Sequence, residues 1–74
     1  MMFMWTIYDR PKDYPYACVA RKFRITAGSP GPEPTTDVLL ADTLDQLRRY
    51  FAERGLTCLP RADSDDPVIV ETWM

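Results

Sequence analysis

Residues 43–56 read TLDQLRRYFAERGL, and the fold turns on this stretch. Thr43 and Gln46 stand at capping-box spacing, in which the Thr hydroxyl accepts from an end amide and the Gln side chain reaches back to the cap. Leu44, Leu47, Tyr50 and Phe51 fall on one stripe of a 3.6-residue period, with Arg48, Arg49, Ala52 and Glu53 largely on the other side. Gly55 supplies a left-handed stop, and Leu56 can fold back on Phe51 in a Schellman ending. The spacing predicts a helix from Leu44 to Arg54, about three turns or roughly 16 Å. A lone helix of that length is marginal in water, so its apolar stripe needs a surface to lie on.

The rest of the chain supplies that surface as strands. Met2–Tyr8 alternates, with Phe3, Trp5 and Ile7 on one face and Met4, Thr6 and Tyr8 on the other. Residues 9–15 carry two prolines and two aspartates and form a loop. Tyr16–Thr26 is the second strand, with Ala17, Val19, Phe23 and Ile25 on one face and Lys22, Arg24 and Thr26 on the other. Arg21 interrupts that alternation. Either an edge position or bulge turns it outward, or it is half-buried and paired with a carboxylate such as Asp9 or Glu71. Residues 27–36, with three prolines and two glycines, read as a wide loop. Val38-Leu39-Leu40 forms a short third strand at 37–41, and Thr57-Cys58-Leu59 a fourth. An acidic loop, RADSDD, precedes a last strand over Val68–Trp73.

The expected fold is therefore α+β, a mostly antiparallel sheet of four to five strands in the order β-β-β-α-β-β, with the helix on one face. Seventy-four residues make one domain near the lower size limit for a single core. The covered face takes Phe3, Trp5, Ile7, Val19, Phe23, Ile25, Val38 or Leu39, Val68 and Val70. A net charge of −2 argues against a surface that seeks nucleic acid everywhere, yet residues 1–27 sum to +3 and residues 28–74 to −5. No secretory signal or membrane-length apolar run opens the chain, so the expected compartment is the cytoplasm. There, Cys18 and Cys58 are expected as buried free thiols, since a disulfide requires Cα atoms within about 7 Å.

Met-Trp-Thr-Ile-Tyr-Asp at 4–9, Pro11, Val19-Ala20-Arg21, the Thr43-Leu44…Leu47 helix start and Asp65-Asp66-Pro67-Val68-Ile69-Val70-Glu71 together resemble a group of small uncharacterised bacterial and phage-associated proteins. The likeness spans nearly the whole chain and implies no activity. It implies Met4 as the usual start, with residues 1–3 as an extension.

Chemistry-bearing motifs are sparse. With no histidine, the commonest metal ligand and acid–base group are both missing. Asp63, Asp65 and Asp66 crowd one loop, but RADSDDP lacks the glycine and distant glutamate of a calcium loop. Both cysteines sit in apolar strand settings that raise a thiol pKa. These features predict no catalytic residue, no metal and no cofactor, and a protein that is not an enzyme.

Surface recognition is the class with most support. If Phe3, Trp5 and Ile7 face the helix, the open face shows Met4, Tyr8, Ile69 and Trp73 beside Lys22 and Arg24, with Arg21 near. An exposed apolar patch on a small protein marks a partner site, unless loops 9–15 and 27–36 fold over it. The expected function is a protein–protein interaction module or homodimer acting through Met4, Tyr8, Arg21, Lys22, Arg24, Ile69 and Trp73. The alternative is single-stranded nucleic acid, bound by stacking on the aromatics and by phosphate contacts from Arg21, Lys22 and Arg24. A basic patch of Arg48, Arg49 and Arg54 on the exposed helix side is a third surface, largely neutralised by Asp45 and Glu53. Membrane association is not expected.

Overall fold

The computed structural model describes residues 2–60 and 69–74. Strands β1 (Met2–Asp9), β2 (Cys18–Ile25) and β3 (Glu33–Ala41) precede helix α1 (Leu44–Glu53), and β4 (Cys58–Pro60) and β5 (Ile69–Trp73) follow. All pairings are antiparallel, in the spatial order β3-β2-β1-β5-β4. The expected α+β architecture and element order hold. The acidic loop and Val68 lie outside the described residues.

Helix α1 forms for the reasons its sequence gives. Thr43 Oγ1 accepts from the Gln46 N–H at 3.3 Å, and Gln46 Oε1 accepts from the N–H groups of Thr43 at 3.4 Å and Asp42 at 2.9 Å. Three otherwise orphaned donors are thereby satisfied. At the other end, Gly55 takes φ +79°, and the Gly55 and Leu56 N–H groups donate to Ala52 and Phe51 carbonyls, both at 3.1 Å. Leu56 then packs on the core, completing the Schellman ending.

Leu47 and Phe51 are buried against Ile7, Cys18, Ala20 and Trp73, with Trp5, Leu39, Leu44 and Val70 around them. Phe51 is fully buried, its ring 5.5 Å from Trp5 and 5.8 Å from Trp73. Burial on this scale is worth about 1.5–3 kcal/mol for a large apolar side chain. Tyr50 is only half-sheltered at the rim of the stripe, 37% exposed.

Two facings differ from the expectation. On β2, the register sets Cys18 opposite Asp9, Ala20 opposite Ile7, Lys22 opposite Trp5 and Arg24 opposite Phe3. These residues therefore share the helix side, and Val19, Arg21, Phe23 and Ile25 face away. The helix needs small residues beneath it so that Phe51 can sit close to the sheet, and Cys18 and Ala20 provide that space. On β5, Ile7 pairs with Glu71 but Tyr8 with Ile69, so Val70 is the extra residue of a bulge. The bulge reverses the alternation. Val70 packs on the core as expected, yet Glu71 and Trp73 also lie on the helix side. Strand β3 is also longer than expected, since it takes in Glu33–Thr36. Pro34 is tolerated there because β3 is an edge strand, where a missing ladder donor costs little.

Candidate interaction surface

The face of the sheet turned away from α1 holds Met4, Thr6 and Tyr8 of β1, Phe23 of β2 and Ile69 and Thr72 of β5, which line a groove of about 290 Å³. Pro32 lies at its margin. None of the described residues that line it is charged. Thr6 is buried and Met4, Tyr8, Phe23 and Ile69 are half-buried, so the groove is a shallow apolar trough. Val19, fully buried, belongs to this face and lies outside the helix-side cluster.

Arg21 is on this face, beside the groove. Its guanidinium lies 6.0 Å from the Tyr8 ring centre and 5.9 Å from that of Tyr14, and it forms an ion pair with Asp13. Both sequence readings hold in part: Arg21 is outward and half-buried, and its carboxylate partner is Asp13 rather than Asp9 or Glu71. Loop 9–15 thus closes over one end of the open face, through Tyr14.

The structure brings Met4, Tyr8, Arg21 and Ile69 together and removes Lys22, Arg24 and Trp73 from that face. Lys22 Nζ lies 4.2 Å from the Phe3 ring centre and 3.7 Å from Asp37. Arg24 donates to Glu33 at 2.9 Å. That bond, with a second from Ser29, holds the Glu33 carboxyl below its ordinary pKa. Trp73 is core, 7% exposed, because the β5 bulge turns it under Phe51.

One site was invisible in the sequence. Glu71 is buried, and its Oε1 accepts from Arg48 Nε at 3.0 Å and Nη2 at 2.8 Å. Its Oε2 accepts from Trp73 Nε1 at 2.7 Å and Cys58 Sγ at 3.2 Å. Burial alone would raise the carboxyl; the donors from Arg48, Cys58 and Trp73 together outweigh it and leave the pKa lowered. Arg48 is raised in turn, chiefly by its hydrogen bond to Glu71. Arg48 is therefore withdrawn from the expected basic patch. No sequence signal links positions 48 and 71; only the register of β5 joins them.

The thiols are separated by β1 and β5, and both are free. Cys18 is buried as expected, but Cys58 is exposed. Burial first, then Asp9, raises the Cys18 pKa against a smaller pull from Arg10. Although the residue is exposed, partial desolvation of its thiol first, then the hydrogen bond to Glu71, raises the Cys58 pKa. Thiolate is scarce at both, which disfavours nucleophilic chemistry. Among the described residues no group of three His, Cys, Asp or Glu is placed to hold a metal ion, and no helix is long and apolar enough to cross a membrane.

No family model matches the chain, and neither does any curated protein or solved structure.

Proposed function

We propose that this chain is a non-enzymatic binding domain whose open-face groove receives apolar side chains of a protein partner. The observation that carries this is the uncharged trough formed by Met4, Thr6, Tyr8, Phe23, Ile69 and Thr72 on a face that α1 leaves uncovered. Half-buried aromatic and aliphatic side chains around a concavity are the usual anchors of protein recognition. Nucleic acid is disfavoured because each cation of β2 is already held by a carboxylate: Arg21 by Asp13, Lys22 by Asp37 and Arg24 by Glu33. Phosphate contacts would have to break those pairs. We place the protein in the cytoplasm, where Cys18 and Cys58 stay reduced.

A displayed peptide library selected on the immobilised protein tests the reading. Enriched peptides should carry apolar anchors, should shift the amides of Met4–Tyr8, Phe23 and Ile69–Thr72, and should be lost with Ile69→Lys in a variant whose amide spectrum is otherwise native. Enrichment of peptides that Ile69→Lys still binds would overturn it. So would a short single strand that shifts Arg21–Arg24 in low salt and releases as salt rises.

A further inference from the structure

We propose that β3 is a self-pairing edge, along which two copies of this chain join antiparallel about Leu39, over Asp37–Ala41, into one continuous sheet. β3 is hydrogen-bonded to β2 alone. Its first half carries the guards usual on edge strands. Pro34 has no N–H, and the Asp37 N–H is taken by Thr35 Oγ1 at 3.2 Å. Glu33 and Asp37 add charges there, paired with Arg24 and Lys22. The second half carries no guard. Val38, Leu39, Leu40 and Ala41 are all apolar, and Leu40 is 54% exposed. Leu39, Leu40 and Ala41 line, with Gln46, Leu47 and Tyr50, a groove of about 390 Å³ between β3 and α1 that has no charged residue among the described ones.

Charge selects a second copy over an unrelated strand. Helix α1 begins beside Asp9 and Cys18, at the level of Ala41, and ends with Phe51 over Trp5, at the level of Lys22. It therefore runs antiparallel to β3, with Asp42 at one end of the unguarded edge and Arg54 at the other. The Arg54 guanidinium lies 4.0 Å from the centre of the Tyr50 ring, which lines the β3 side of α1. Neither Arg54 nor Asp42 has an ion pair among the described residues.

Antiparallel pairing centred on Leu39 sets Val38 against the second copy's Leu40 and Asp37 against its Ala41. No carboxylate then faces a carboxylate. The same twofold axis brings each Arg54 toward the other copy's Asp42, so the match occurs twice. Both helices lie on one side of the joined sheet, and Leu39 and Tyr50 of the two copies close the shared groove. The edge amides are already solvated in the monomer, so their pairing sets register while apolar burial supplies the affinity. The open-face groove remains uncovered on the opposite side, so this inference stands apart from the partner reading.

Sedimentation velocity over a concentration series tests it. The wild type should move from 8.6 kDa toward twice that mass as concentration rises, with β3 amides gaining exchange protection only in the dimer. Val38→Lys combined with Leu40→Lys, which sets ammonium against ammonium on the face away from the core, should stay monomeric with an otherwise native amide spectrum. Arg54→Glu and Asp42→Lys should each weaken the dimer by about tenfold, and the doubly swapped chain should recover most of that loss. A doubly lysine-substituted chain that dimerises like the wild type would place the contact elsewhere and sink the proposal. A wild type that stays monomeric at millimolar concentration would overturn it too. β3 shifts that appear only with an added extended peptide would assign the edge to a partner's strand instead, against self-pairing.

Discussion

At one edge of the sheet, β4 is three residues long and ends at a proline; at the other, β3 runs nine residues and finishes in four unguarded apolar ones. The β4 side is tied down. Thr57 and Met74 exchange backbone hydrogen bonds at 2.8 and 3.0 Å, Cys58 donates to Glu71, and Trp73 packs under Phe51 beside the Arg48–Glu71 pair. On the β3 side the polar ties are at its first half, from Arg24 and Ser29 to Glu33 and from Lys22 to Asp37, while beside its last residues a groove separates β3 from α1. Beyond the exposed Cys58 and Leu59, the described part of the short β4 edge offers little ladder to another strand. The longer β3 edge, beside its apolar groove, offers more. On the self-pairing proposed above, the tied-down β4 flank supplies stability and the β3 flank the contact between copies.

The largest effect that would break this contrast is expected at Trp73. Trp73→Ala removes a buried indole and should cost about 3–5 kcal/mol in denaturant unfolding, enough to threaten folding of so small a domain. A change below 1 kcal/mol would mean that the β4 flank is not where stability resides. Next comes Glu71→Gln, which leaves Arg48 without its anion and should cost about 2 kcal/mol at neutral pH. Its pH signature is more telling. Because the folded Glu71 pKa is lowered, its contribution is complete above the unfolded value, near 4.3, and is lost as pH falls through the folded one. Thermal melts from pH 7 downward should therefore converge for wild type and Glu71→Gln on acidification; parallel curves would show that Glu71 does not titrate differently on folding.

On the β3 side the expected effects on stability are small. Leu40→Lys should change unfolding free energy by less than about 0.5 kcal/mol, since the side chain is more than half exposed. The smallest effect belongs to Arg24→Ala, whose solvent-exposed pair with Glu33 should leave the unfolding midpoint almost unchanged, and more nearly so in high salt. A clear drop in the urea midpoint for either would show that the β3 flank carries stability after all.

Much of the fold was legible in the chain. The order of elements, the α+β class and both helix ends follow from residues close together in sequence. The candidate surface was legible only in part. Met4 and Tyr8 were correctly faced because β1 alternates without interruption and pairs in regular register with β2. Lys22 and Arg24 depart from expectation because side-chain bulk alone predicts the wrong buried set for β2, whereas the helix side takes the small Cys18 and Ala20. Trp73 was misplaced by the single extra residue at Val70.

The sequence alone determined what local hydrogen bonding decides: the Thr43–Gln46 cap and the Phe51–Leu56 closure each join groups within five residues, so the chain between them holds the whole instruction. Only the tertiary structure decided which face each strand turns to the helix. A β-strand's facing has a period of two, so one bulge or one preference for small residues beneath a helix inverts it, and both depend on the partner strand lying alongside. The Arg48–Glu71 pair and the unguarded end of β3 follow from that choice, and neither exists until the sheet has formed.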